Sequence, residues 1–177
     1  MTAHEFDTNL SKLTGKLKKE DRQYATIVKA IQIFYWIFIP VFIVKTARQY
    51  SDSQSINDLI GGVALILGFL IIALTFRKYY KDYQYVDYSL PTLEMLKKAT
   101  YRYQPFQKRG VWIIPGLLLM DVGLTFDWIR EGKSVLDSQV FFLGAILFGV
   151  IIGLVIWYFK YKPLRDKILD LVREIEQ

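Results

Sequence analysis

One acidic residue stands in the middle of a long apolar stretch. Asp121 lies near the centre of the apolar block 111–128, where a carboxyl group far from water needs hydrogen-bond donors or binds a proton or a cation. The apolar block 27–44 offers partners at the same depth. Lys29, Gln32 and Trp36 share one helical face of that block, and Tyr35 adjoins it. We expect Asp121 to face the bundle interior and to hydrogen-bond Tyr35 or Trp36, with a proton or cation site as the alternative.

Motifs for catalysis or metal binding are missing from the sequence. His4 is the only histidine and there is no cysteine, which argues against histidine acid–base catalysis, ordinary zinc sites and thiolate chemistry. Glycine-rich phosphate loops and calcium-binding loops are also missing. Asp121 and Asp127 are six residues apart, about 240° around a helix, so they cannot act as paired carboxylates. We therefore expect no enzyme activity, no cofactor and no metal.

Four apolar blocks must position these side chains. They are residues 27–44, 59–76, 111–128 and 140–159. The second and fourth contain no charged residue over 18 and 20 positions, which corresponds to roughly 27–30 Å of helix. A soluble bundle could not cover four such helices within 177 residues. The sequence predicts a single all-α domain, a polytopic membrane protein with a four-helix transmembrane bundle that contacts the lipid bilayer.

Positive charge is concentrated on one side of these blocks. Of the 23 Lys and Arg residues, 18 lie in 1–26, 77–110 and 160–177, and only four lie in the other connections. Because lysine-rich and arginine-rich loops stay in the cytosol, we expect both termini and the 77–110 loop to be cytosolic. The net charge of +6 follows from this asymmetry, and we expect no nucleic-acid partner.

The two tails carry helical patterns of their own. In 1–26 and in 160–177, apolar residues recur at intervals of four, three and four on otherwise charged segments. Each tail is therefore predicted to be an amphipathic helix. The two helices can pack antiparallel as a cytosolic extension of the bundle or lie on the membrane surface, and we favour the first.

The 77–110 loop interleaves tyrosines with lysines and arginines. Seven of the twelve tyrosines lie between residues 79 and 103. Pro91 suits the first turn of a helix, and Pro105 should end it. This basic helical segment either lies at the lipid headgroups or docks a partner protein. The residues of this predicted surface are Tyr79, Tyr80, Tyr83, Tyr88, Lys97, Lys98, Tyr101, Arg102 and Tyr103.

Small residues at helical spacing predict where membrane helices meet. Ala145, Gly149 and Gly153 form one stripe on the fourth block, and Ala64 with Gly68 forms a shorter one on the second. We expect these two helices to pack against each other within one chain. The alternative is a seam between copies in a homo-oligomer.

Residues 85–99 read YVDYSLPTLEMLKKA and follow an aromatic, basic end of the second block. This segment resembles part of a family of small uncharacterised four-span bacterial inner-membrane proteins, whose genes sometimes accompany those for extracytoplasmic-function sigma factors. The resemblance covers mainly residues 60–128 and includes no catalytic motif. It implies a bacterial inner (plasma) membrane location and favours a regulatory role.

Two hypotheses of function follow. The first is a non-enzymatic membrane module, regulatory or scaffolding, that engages a cytosolic or membrane protein partner through its tails and tyrosine-rich loop. The second is a small oligomeric transporter or channel that uses Asp121, supported by Pro40 and Pro115 inside the apolar blocks.

Overall fold

A computed structural model describes residues 3–176, except for the side chains of residues 3–7, 9 and 109. The regular structure of this part of the chain is entirely helical. A 3-10 turn, Lys108–Trp112, precedes α4, and a π-helical segment, Trp157–Tyr161, joins α5 to α6. The α-helices are α1 (Ala3–Ser53), α2 (Ile56–Gln84), α3 (Thr92–Arg102), α4 (Ile113–Arg130), α5 (Val135–Ile156) and α6 (Lys162–Glu176).

Within residues 3–176, four helices are long and apolar enough to cross a membrane, which confirms the predicted all-α membrane fold. Both tails are helical, and each is continuous with a span. The 1–26 tail and the 27–44 span form the single helix α1, and α5 continues through the π-helical segment into α6. We call the end of the molecule with both termini and α3 the tail side, and the end with the short α1–α2 and α4–α5 connections the hairpin side.

Helices α1 and α2 form an antiparallel pair. Near the hairpin side, Gly62 lies so close to Thr46 that a Cβ on the glycine would be 2.2 Å from the threonine side chain. Further in, the ring of Phe69 lies 5.0 Å from Phe42 and 5.6 Å from Tyr35. Small residues therefore set the separation of the helices at one end, and stacked aromatic rings fill the wider space beyond it.

Helices α2 and α4 meet through glycines. A Cβ on Gly68 would lie 2.8 Å from the carbonyl oxygen of Gly116, and a Cβ on Gly123 would lie 2.7 Å from that of Gly61. The two glycines of each helix are seven residues apart, so both lie on one face and allow close backbone approach over two turns. The spans of α1, α2 and α4 form what we call the membrane layer.

The predicted pairing of the second and fourth spans is wrong. Gly68 does lie in a helix interface, but its partner helix is α4, and Ala64 is buried. A Cβ on Gly149 or Gly153 would meet nothing within 4 Å, and Ala145 is exposed. The physical reason is that α5 contacts α4 only near the hairpin side, where Ser138 and Phe142 are buried.

The tail side has a second core. Both tails contribute to it, and α3 completes it. Ion pairs join its rim, with Lys97 Nζ 2.6 Å from a carboxylate oxygen of Glu176. We call this unit of α1, α3 and α6 the tail domain. Its buried members are Leu13, Leu17, Met95, Leu96, Ala99, Tyr103, Tyr161, Leu164, Ile168 and Val172.

Candidate functional site

A buried carboxylate lies where the tail domain meets the membrane layer. Asp21 of α1 is only 1% exposed. It accepts hydrogen bonds from Tyr88 Oη at 2.5 Å and from Tyr103 Oη at 2.7 Å. The guanidinium of Arg102 lies 3.1 Å from the same carboxylate and is 14% exposed. One acid of α1 thus holds α3 and the segment before it through two hydroxyls and one cation.

Five tyrosines surround this acid: Tyr88, described above, and four that each lie in or next to a different helical segment. The Tyr24 ring of α1 lies 4.2 Å from the Tyr83 ring of α2 and 5.9 Å from Tyr161 of the π-helical segment. The Tyr161 ring lies 5.7 Å from Tyr103 at the end of α3. We call the set of Asp21, Tyr24, Tyr83, Tyr88, Arg102, Tyr103 and Tyr161 the junction.

Local sequence explains how the junction forms. Asp21 continues the buried stripe of Leu13 and Leu17 at a spacing of four, so helical periodicity turns its carboxylate inward. Tyr103 follows the last turn of α3 and accepts a hydrogen bond at its carbonyl oxygen from Trp157 Nε1 at 2.8 Å. The start of the π-helical segment is therefore fastened to the end of α3.

The junction keeps its tyrosine hydroxyls protonated. Burial, the hydrogen bond to Asp21 and the negative charge of Asp21 raise the pKa of Tyr88 above its ordinary value. Burial, followed by the charge and hydrogen bond of Asp21, raises the pKa of Tyr103 in the same direction. Both hydroxyls therefore remain hydrogen-bond donors to Asp21 at any physiological pH.

Part of the predicted docking surface is thus interior. Tyr83 and Tyr103 are 5% and 3% exposed, and Tyr83 Oη donates to the carbonyl oxygen of Arg102 at 2.8 Å. Tyr88 and Arg102 point to Asp21 as described above. The prediction treated all nine of its residues as surface groups. It failed for Tyr88, Arg102 and Tyr103 because a buried acid on α1 is their partner. It failed for Tyr83 because its hydroxyl binds the backbone at the end of α3.

The predicted surface residues that are exposed lie on the outer face of α3. Glu94, Lys97, Lys98 and Tyr101 recur at three-residue and four-residue intervals and are exposed together. Lys98 pairs with Glu94 at 2.8 Å. The opposite face, with Met95, Leu96 and Ala99, is buried in the tail domain. This arrangement presents one aromatic ring between two cations.

Tyr79 and Tyr80 lie at the tail-side end of α2, where each is partly buried. The ammonium of Lys29 lies 5.6 Å from the centre of the Tyr80 ring, within the range of a cation–π contact. The Tyr79 ring lies 6.4 Å from Phe76. Lys29 is therefore engaged with α2 and does not point toward α4.

The expected partner of Asp121 is wrong. Gln139 of α5 donates from Nε2 to Asp121 Oδ1 at 2.9 Å and also contacts Thr125 Oγ1 at 3.1 Å. Tyr35 instead packs its ring against α2, at 5.8 Å from Phe76, while Trp36 is 39% exposed and Gln32 is half-buried. The reason is the order of the helices, because α2 separates most of α1 from α4.

A polar cluster that the sequence analysis missed closes the hairpin side. Lys45 of α1 forms an ion pair with Asp127 of α4. Arg130 lies 3.9 Å from Asp127 and 4.0 Å from Asp58 of α2. All three helices of the membrane layer are therefore joined by charge at this end. The sequence does carry a signal for this cluster, because the four charged residues all lie within a turn or two of the hairpin-side end of a predicted span.

Among the described residues, no group of histidine, cysteine, aspartate or glutamate could hold a metal ion. Comparison with protein-family models, curated proteins and solved structures finds no match to this chain. The geometry of the junction and of the exposed α3 face is therefore the basis for a functional assignment.

Proposed function

We propose that the protein is a non-enzymatic regulatory or scaffolding module of a bacterial inner membrane, with its tail side in the cytosol. Its task is to bind a protein partner on the outer face of α3 and to make that binding depend on the arrangement of its membrane helices. The cytosolic placement of the tail domain is supported by the distribution of lysine and arginine.

The observation that carries this proposal is the junction. α1, α2 and the π-helical segment that follows α5 each contribute a tyrosine to it from within a continuous helix. α1 is one helix of 51 residues, and α5 reaches α6 through a continuous helical segment. A shift of one span therefore moves a side chain that contacts α3 or its carboxylate anchor.

The exposed face of α3 supports the choice of partner surface. Tyr101 supplies an amphipathic ring of the kind enriched at protein interfaces, and the lysines beside it supply the charge typical of an interface rim. Tyr101 is 37% exposed and Lys97 and Lys98 are more than half exposed at their side chains. A mixed-charge protein surface fits this face, because Lys97 pairs with Glu176 and Lys98 pairs with Glu94, so that both signs of charge are exposed there.

A photo-crosslinking amino acid placed at Tyr101 in living cells tests the proposal. We expect one defined protein to be captured there, and the charge reversals Lys97→Glu and Lys98→Glu together to abolish its capture. The matched control is the pair Lys167→Glu and Arg173→Glu on α6, which changes the same charge elsewhere on the tail domain. Equal capture by both double variants, or the same product from a probe at Arg173, would remove α3 as the binding face.

A further inference from the structure

We infer that the outer face of α1 holds the headgroup of one anionic phospholipid from the leaflet on the tail side. A shallow surface cavity, open to solvent, of about 510 Å³ lies on this face, opposite the stripe that α1 buries in the tail domain. Its lining consists of Gly15, Lys18, Lys19, Arg22, Gln23 and Thr26. These residues recur at three-residue and four-residue intervals, so they share one side of the helix.

The cavity is basic because the neighbouring acids are paired elsewhere. Glu20 pairs with Lys160 at 2.9 Å, and Asp21 is buried against Arg102 in the junction. In the described part of the chain, no acidic side chain pairs with Lys18, Lys19 or Arg22. Three uncompensated cations on one helical face attract a phosphate group, and the guanidinium can bind two of its oxygens at once.

The position of the cavity along the membrane normal matches that of a lipid headgroup. Thr26 directly precedes the apolar block that starts at residue 27. Measured along the helix axis from residue 27 toward the tail side, Arg22 lies at about 7.5 Å and Lys18 at about 13.5 Å. The headgroup region of a bilayer extends about 5–8 Å beyond the hydrocarbon. Arg22 is thus at headgroup level, and the long stems of the lysines can reach it from the water side.

The same face continues into the membrane as an uncovered apolar surface. Ile33, Ile37 and Val44 follow Thr26 at helical spacing, and they are 48%, 58% and 52% exposed. A molecule with a phosphate at Arg22 and an acyl chain along these residues would match both parts of the face. This continuity favours a phospholipid over a soluble phosphate compound.

Native mass spectrometry of the full-length protein tests the inference. The protein is released from phosphatidylcholine nanodiscs that contain a minority of phosphatidylglycerol. We expect it to retain one phosphatidylglycerol. The triple variant Lys18→Gln, Lys19→Gln, Arg22→Gln should bind it roughly 100-fold less tightly at low salt, since each cation near the surface contributes a factor of about five.

The matched control is the triple variant Lys133→Gln, Lys167→Gln, Arg173→Gln, which removes three exposed cations that lie outside both the cavity and the α3 face. Its retention of phosphatidylglycerol should stay within about twofold of the unmodified protein. If the α1 triple variant does not fold, Arg22→Gln alone should weaken retention about fivefold.

Three results would overturn the inference. They are equal retention by the α1 triple variant, equal retention of phosphatidylcholine by the unmodified protein, and displacement of the bound lipid by millimolar inorganic phosphate. The last result would assign the cavity to a soluble anion. None of these measurements involves the α3 face, so they leave the proposed partner binding to its own test.

Discussion

The tail domain and the membrane layer hold their helices together by different means. In the tail domain, large side chains such as Leu17, Leu96 and Ile168 are fully buried, and a single carboxylate binds three partners. In the membrane layer, α2 and α4 approach through glycines until each backbone nearly touches the other. Burying leucine drives helix association in water, because it removes apolar surface from water. In a membrane the lipid is as apolar as leucine, so close packing of the helices drives their association instead.

The difference indicates what each region tolerates. A protein core in water loses stability when a buried group is removed or left without a partner. A glycine interface in a membrane loses stability when a group is added, because the backbones must separate. The following predictions test this contrast, beginning with the largest expected effect.

Removal of the acid at the centre of the junction should have the largest effect. Asp21→Ala leaves the guanidinium of Arg102 and the hydroxyls of Tyr88 and Tyr103 without their acceptor in a buried site. We expect a loss of about 3–5 kcal/mol in the free energy of unfolding. Thermal melting in detergent measures the loss, and hydrogen exchange should show it first in α3.

The control for this change is Asp170→Ala on α6, which removes an acid that is 69% exposed and pairs with Arg173. An exposed pair of this kind contributes less than about 0.5 kcal/mol. If Asp21→Ala melts at the same temperature as Asp170→Ala, the junction does not hold the tail domain on the membrane layer.

An added side chain in the glycine interface should have the next largest effect. At Gly68, a Cβ would lie 2.7 Å from Met120 Cγ and 2.8 Å from a backbone oxygen, so Gly68→Leu forces α2 and α4 apart. We expect a loss of about 3 kcal/mol. The measurement is thermal melting of the monomer in detergent micelles.

Gly149→Leu is the matched control, because nothing lies within 4 Å of a Cβ at Gly149. The same substitution there should leave melting of the monomer unchanged. A smaller particle with unchanged melting would show instead that this face joins two copies of the chain. A large loss of monomer stability in Gly149→Leu would contradict the described position of α5.

The sequence predicted much of this fold and little of the junction. Composition identifies the four spans, and periodicity identifies the tail helices and α3, since both signals are local. The partners of Asp21 are 67 to 82 residues away, and one sequence does not show which residues meet across that distance. The glycine interface did leave a signal, because Gly61 with Gly68 and Gly116 with Gly123 repeat the spacing of seven.

Alkaline pH should loosen the junction by a smaller amount. The raised pKa values of Tyr88 and Tyr103 mean that both stay protonated in the folded protein while tyrosines of the unfolded chain ionise near pH 10. Their contribution to stability is complete below about pH 10 and is lost as the pH rises further toward their folded pKa values. Melting temperature measured against pH should fall above that value.

Replacing the hydroxyl tests this assignment. Tyr103→Phe removes a buried hydrogen bond to a charged acceptor and should lose about 2 kcal/mol at neutral pH. The double variant Tyr88→Phe, Tyr103→Phe should also show a shallower fall in stability above about pH 10. Tyr85→Phe, at a side chain that is 73% exposed, should change neither property. An equally steep fall in the double variant would assign the alkaline loss to other groups.

The smallest effect is expected at Asp121, where the α4–α5 contact relies on a polar bridge inside the membrane. Asp121→Asn keeps an oxygen that can accept from Gln139 Nε2, so its stability should stay within about 0.5 kcal/mol. Asp121→Leu removes that acceptor and leaves Gln139 with Thr125 alone. Because hydrogen bonds between membrane helices contribute about 0.6–1.7 kcal/mol, we expect a loss of about 1 kcal/mol. Thermal melting in bicelles measures both variants, and proteoliposomes measure proton flux. If the unmodified protein conducts protons and a folded Asp121→Asn protein does not, Asp121 transfers protons and its role is not only structural. The reason is that an amide keeps the hydrogen bond but cannot release a proton.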